Sequence, residues 1–145
     1  MKRIVVANGP NLNLLGGREP AIYGFTTLAE IERMVRARAT ELQAEVAWFQ
    51  TNSEGELLDR LQAEAPASAG VILNGGALTH YSYALYDCLR ALGRPIVEVH
   101  ISNLYARTEA FRAHSVTAPA ATGVISGLGP IGYVLALEYL IDRDE

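Results

Sequence analysis

One cysteine, Cys88, in 145 residues has no partner for an internal disulfide, which fits a chain kept in a reducing compartment. Histidine is nearly as scarce: His80, His100 and His114 show no metal-ligand spacing with each other or with Cys88, so neither a metal nor a metal cofactor is expected. Positive charge is in short supply. Twelve Lys and Arg against sixteen Asp and Glu leave a net charge of −4, which argues against nucleic acid or an anionic membrane as the main partner, since both require a basic surface. No apolar run approaches the ~18 residues that span a bilayer. Met1-Lys2-Arg3 leads straight into a short apolar run that turns polar at Asn8, unlike a signal peptide. The expectation is a soluble cytoplasmic protein, one domain over residues 1–145, its 50% hydrophobic content sufficient for a core.

What is present is a repeating alternation. Five short apolar runs rich in β-branched residues, Arg3–Ala7, Glu45–Gln50, Val71–Asn74, Pro95–His100 and Gly123–Ser126, are separated by helical patterns. Near-continuous apolarity is what strands covered on both faces require. Thr27-Leu-Ala-Glu30 and Ser53-Glu-Gly-Glu56 have capping-box spacing and predict helix starts. Leu78–Leu92 reads as a third helix closed by Gly93, and Pro130 suits the first turn of a last helix ending near Asp142. The pattern predicts an α/β fold: a five-stranded parallel sheet with helices on both faces. The stretch from Asn8 to Phe25 is read as the one long connection, and long connections in compact domains usually carry function.

Ligands of such sheets bind beyond the carboxyl ends of the strands. Those ends here carry Asn8 to Asn13, Asn74-Gly-Gly-Ala77 and His100-Ile-Ser-Asn103. Arg18 and Tyr23 sit on the long connection among Gly16, Gly17 and Gly24, as a closing lid would. The plainer reading of Arg18 is a surface ion pair with Glu19. A free tyrosine titrates near 10, so a tyrosine base at neutral pH needs roughly 4 kcal/mol of preference for the phenolate. One close guanidinium can supply much of that. Glu98 and His100, two apart on one strand, share a face, and a carboxylate orients an imidazole and favours its charged form. Base and acid together suit an elimination. His80 is read equally as a site residue and as a helix cap. Cys88 is read as inert packing. Gly127-Leu-Gly-Pro-Ile-Gly132 matches the dinucleotide glycine pattern, but with Glu145 as the last residue no second strand follows to carry the acidic partner expected about 20 residues on. Packing of the last helix on the sheet is the preferred reading.

Gly9-Pro-Asn-Leu-Asn-Leu-Leu-Gly16, Arg18-Glu-Pro20 with Tyr23-Gly24, Asn52-Ser-Glu-Gly-Glu-Leu57 and Glu98-Val-His-Ile-Ser-Asn103 resemble type II 3-dehydroquinate dehydratase. Thr79-His-Tyr-Ser82, Phe111-Arg-Ala-His-Ser115, Gly127-Leu-Gly129 and Gly132-Tyr133 extend the match along essentially the whole chain. The resemblance implies a flavodoxin-like three-layer fold. It also implies cofactor-free anti elimination of water from 3-dehydroquinate, through an enolate, to give 3-dehydroshikimate. The pathway would be that to chorismate and the aromatic amino acids, or quinate breakdown. By matching motif, Tyr23 would be the base, Arg18 its phenolate partner, and His100, oriented by Glu98, the acid for the leaving hydroxyl. Asn11 would hold a water at the enolate oxygen. Asn74, His80 and Arg112 would hold substrate hydroxyls, and the backbone at Ile101 and Ser102 the carboxylate. Asp87 would act across a subunit contact in a homododecamer, a tetramer of trimers. The chain departs from the family pattern at Gly75 (usually proline), Gly17 (often threonine) and Tyr105 (usually histidine), in the aromatic Tyr81, Tyr83 and Tyr86, and by one extra residue between Arg107 and Phe111.

A flavin- or nucleotide-binding domain would want a Ser/Thr-rich phosphate loop after the first strand. Asn8-Gly-Pro-Asn-Leu-Asn13 offers asparagines and a proline that removes a donor. A receiver-like signalling module would want paired carboxylates there, and none stands in that segment.

Overall fold

Each apolar run becomes a strand because both of its faces are covered. In the computed structural model, which describes residues 1–143, β1 (Arg3–Asn8) sends Ile4 and Val6 into one core and Val5 and Ala7 into the other. The chain continues through the single-turn helix α1 (Pro20–Tyr23), α2 (Leu28–Glu41), β2 (Glu45–Gln50), α3 (Glu54–Glu64), β3 (Gly70–Asn74), α4 (Tyr83–Ala91), β4 (Ile96–His100), β5 (Gly123–Ser126) and α5 (Ile131–Asp142). All pairings are parallel and the strand order is 2-1-3-4-5, the flavodoxin-like arrangement. Helices α2 and α5 cover one face and α3 and α4 the other.

Local chemistry places the helices. Thr27 caps α2 with a full capping box: its hydroxyl accepts from Glu30 N–H while the Glu30 carboxylate accepts from Thr27 N–H. At α3 only half of the expected box forms. Ser53 caps the Glu56 N–H, but the Glu56 carboxylate turns to the Thr51 hydroxyl at 3.0 Å. At the start of α5, Pro130 stands at the N-cap. Gly132 then brings the helix onto the sheet: a Cβ there would lie 3.2 Å from Ile125 Cγ2 and 3.3 Å from Val99 Cγ1. Helix packing therefore accounts for that glycine.

Two expectations need correction. Leu78–Leu92 is not one helix. A 3₁₀ segment, Gly76–His80, precedes α4, because the Ser82 hydroxyl accepts the Leu85 N–H and starts a new helix there. The Asn8–Phe25 stretch is not the sole long connection. Residues 101–122 form a second, built from 3₁₀ turns where a crossover helix would have been expected. The first stretch contains α1 and a 3₁₀ turn at Leu12–Leu14.

The order reverses about β1, so β1 and β3 diverge from a switch point, and with β4 they end in adjacent register. Asn8 lies opposite Asn74, and Leu73 opposite Glu98. The pocket opens beyond these ends. Among the described residues no helix is long and apolar enough to cross a membrane.

Candidate active site

A cleft lined by Asn11, Arg18, Tyr23, Asn74, His80, His100, Ile101, Ser102, Arg107 and Arg112 sits over the carboxyl ends of β1, β3 and β4. Its first wall is the β1 loop. Asn11 takes left-handed backbone (φ 68°), which asparagine tolerates better than most residues. Its N–H donates to the Asn52 side chain at 2.9 Å, and Gln50 donates to the same Asn52 oxygen at 3.1 Å, so the edge of β2 holds the loop in place.

Tyr23 ends α1 and points its hydroxyl inward. Arg18 reaches that oxygen at 3.4 Å while also pairing with Glu19 at 3.4 Å, so its guanidinium is divided between the two. A second guanidinium is closer: Arg107 Nη1 donates to the Tyr23 oxygen at 3.0 Å and to Ser102 Oγ at 3.3 Å. Both guanidinium carbons stand near the ring, 4.7 Å and 5.3 Å from its centroid. Two guanidiniums thus converge on one phenol oxygen.

Opposite stands the β4 pair. Ile96, Glu98 and His100 alternate onto the α3/α4 face, and the Glu98 and His100 side chains are both buried. His100 Nε2 lies 2.8 Å from Glu98 Oε2. Burial works against the Glu98 carboxylate. The hydrogen bond and charge of His100, with the hydroxyls of Thr117 and Ser115, outweigh it and hold the carboxyl below its ordinary range.

The floor is polar and fully satisfied. Tyr133 on α5 donates to Asn8 Oδ1 at 2.7 Å and accepts from Asn74 Nδ2 at 2.9 Å, while Asn74 Oδ1 accepts from Gly76 N–H at 3.2 Å. Burial raises the Tyr133 phenol well above its ordinary value, so it remains a neutral donor. His80 lines the cleft with its Nδ1 2.8 Å from the His114 carbonyl, and burial lowers its proton affinity. It is not a helix cap; Ser82 has that position.

The dehydroquinase class II family model matches residues 2–141. This chain belongs to that family. A relative, the 3-dehydroquinate dehydratase of Thermus thermophilus, is 54% identical over 143 residues, covering 98% of this chain and 95% of the relative. The crystal structure of type II dehydroquinase from Propionibacterium acnes superposes with a TM-score of 0.94 at 43% identity, covering 99% of this chain and 98% of that one. That from Butyrivibrio crossotus gives a TM-score of 0.93 at 41% identity, covering 96% and 97%.

Of the family positions read from sequence, Glu98 stands buried behind His100 rather than on the lining, and Asp87 lies apart from the cleft, on the exposed side of α4. Ile101 and Ser102 follow His100 and are tied to the β5–α5 turn. Gly129 N–H donates to the Ile101 carbonyl, and the Ser126 hydroxyl donates to that of Ser102. Arg112 lines the cleft despite the extra residue before Phe111. Missed in the sequence were Arg107, Ser115, Thr117 and Tyr133. Arg107 carried a weak signal, being a basic residue seven beyond His100. Ser115 and Tyr133 stood inside motifs of the family match with no role attached, and Thr117 carried no signal. Among the described residues no cluster of His, Cys, Asp and Glu has the arrangement of a metal site.

Proposed function

We propose that this chain dehydrates 3-dehydroquinate to 3-dehydroshikimate through an enolate, with its own side chains as base and acid. One observation carries the reading: a tyrosine hydroxyl held by two guanidiniums and a buried Glu–His pair face one cleft in a dehydroquinase class II fold. Tyr23, its oxygen held by Arg107 and Arg18, takes the proton α to the ketone. His100, held by Glu98, then protonates the leaving hydroxyl. Asn11 positions a water at the enolate oxygen. Asn74, His80 and Arg112 hold substrate hydroxyls, and the backbone N–H groups at Ile101 and Ser102 take the carboxylate. No residue role requires a metal or an organic cofactor.

The test is an ultraviolet assay for the conjugated enone with purified protein and no additive. Enone formation at a rate unchanged by chelator is expected. Absence of enone at high enzyme concentration, or loss of rate to chelator, overturns the reading.

The same reading gives Asp87 a place. The residue is exposed on α4, away from its own cleft, and the family resemblance gives it a role at the site of a neighbouring copy, in an assembly built on trimers and completed as a dodecamer. Light scattering should report a multiple of three copies, and an Asp87→Ala variant that still assembles should lose activity. A fully active monomer refutes this.

A further inference from the structure

The buried carboxylate of Glu98 is surrounded by donors whose directions can be assigned. The Ser115 hydroxyl accepts from Ala118 N–H at 2.9 Å, lies 3.2 Å from Thr117 Oγ1, and donates to Glu98 Oε2 at 2.9 Å. The Thr117 hydroxyl, fully buried, donates to Glu98 Oε1. His100 Nε2 completes the set at Oε2. Every neighbour of this carboxylate thus presents a hydrogen to it, and an ionised carboxylate is the acceptor-only group that fits. A proton on Glu98 would have to displace one of these donors in a site that water does not reach.

We propose that Ser115 and Thr117 are positioning residues for the acid step. By filling the acceptor sites of Glu98 they keep the shared proton on His100 Nε2, so the proton given to the leaving hydroxyl comes from Nδ1. The balance is simple. His100 begins as imidazolium with a proton on each nitrogen. The Nδ1–H bond breaks, an O–H bond forms on the departing hydroxyl, and the C–O pair leaves with water. His100 ends neutral as the Nε2–H tautomer, still bonded to Glu98, which never changes protonation. Among the described residues His100 Nδ1 has no hydrogen-bond partner, and His100 lines the cleft, as this requires. Both hydroxyls lie on the 101–122 connection rather than on the strand that carries the pair, so this connection is part of the acid apparatus.

The inference rests on the proposed dehydration, and two readouts separate the two ideas. Thr117→Val keeps shape and removes the hydroxyl; Ser115→Ala is the second variant should the first fold poorly, and Thr117→Ser is the rescue. In the first readout, dehydration by Thr117→Val should fall about 10–100-fold, a typical cost of losing one acid–base support. Exchange of the substrate α-hydrogen with deuterated solvent should stay within about threefold, because proton abstraction by Tyr23 precedes the acid step. Thr117→Ser should restore dehydration. Equal loss of both rates, or loss of neither, overturns the proposal. The second readout needs no turnover. Nitrogen-15 NMR of His100 should show the Nε2–H tautomer in the parent protein above the imidazole titration, and a mixture in Thr117→Val. An Nδ1–H tautomer in the parent overturns the proposal, even if the protein shows no dehydratase activity. A parent that shows the Nε2–H tautomer but forms no enone refutes only the reaction assignment.

Discussion

Tyr23 illustrates how much depends on a single atom. Its hydroxyl oxygen is the meeting point of Arg107 at 3.0 Å and Arg18 at 3.4 Å. Tyr23→Phe removes that oxygen and little volume, so turnover should fall by about 10²–10⁴-fold with substrate affinity nearly kept. A variant within threefold of the parent in kcat would show that the base is another group. The two arginines should not weigh equally. Arg18 divides its guanidinium between Tyr23 and Glu19, whereas Arg107 divides its own between Tyr23 and the neutral Ser102 hydroxyl. Arg107→Ala is therefore expected to lower kcat at least as far as Arg18→Ala, and steady-state kinetics of the two variants decide it. The Tyr23–Arg18 part of this arrangement was legible from five-residue spacing and flanking glycines. The stronger partner was not, since Arg107 lies 84 residues away and only the folded sheet brings it near.

At the scale of elements, caps and close contacts decide where helices begin and how near they lie. The capping hydroxyls of Thr27 and Ser53 were readable because they are local, although the Glu56 carboxylate left its expected place in the second box for the Thr51 hydroxyl. The break before α4 was hidden because Ser82 sits inside an apolar pattern that continues on either side, and a serine within a helix looks no different in sequence from one that starts it. Gly132 permits a direct comparison of two kinds of element term. Adding a Cβ at Gly132 places it 3.2–3.3 Å from two β-branched side chains fixed in the sheet, so Gly132→Ala should destabilise by about 1–3 kcal/mol through overpacking, despite alanine's better helix propensity. Thr27→Ala, which removes an exposed cap, should cost about 1 kcal/mol. Denaturant unfolding of both variants checks the order. A stabilised Gly132→Ala would mean that α5 shifts freely on the sheet.

For the whole molecule, the buried charges make stability depend on pH in one direction. The Glu98 carboxyl is held below its ordinary value of 4.5, so the unfolded chain binds protons there first as the pH falls. The contribution of Glu98 is thus complete above about pH 4.5 and is lost as the pH drops through its folded value. His80, whose proton affinity is lowered by burial from an ordinary 6.5, adds a loss of the same sign that begins nearer neutrality. The thermal midpoint should be flat above about pH 7, then fall in these two ranges. Glu98→Gln should have a lower midpoint at pH 7 and a shallower decline below pH 4.5. An unchanged slope in that variant would show that Glu98 is not ionised in the folded state.

Local chemistry in the sequence determined the alternation of strands and helices, the parallel sheet, the capped starts of α2 and α3, and the family motifs around Tyr23 and His100. Each of these depends on residues a few positions apart, through side-chain periodicity or a hydrogen bond within one turn. The tertiary structure alone decided which distant groups share the cleft. Tyr133 joins Asn8 to Asn74 from the far end of the chain, Arg107 reaches Tyr23, and Ser115 and Thr117 surround Glu98. These residues lie on a connection without periodicity or on a helix whose apolar pattern reads as core. Nothing local marks a hydroxyl as a donor to a carboxylate 17 or 19 residues away. Their roles arise because a parallel sheet gathers its strand ends at one edge, where buried polar groups must find partners among whatever side chains the crossovers deliver.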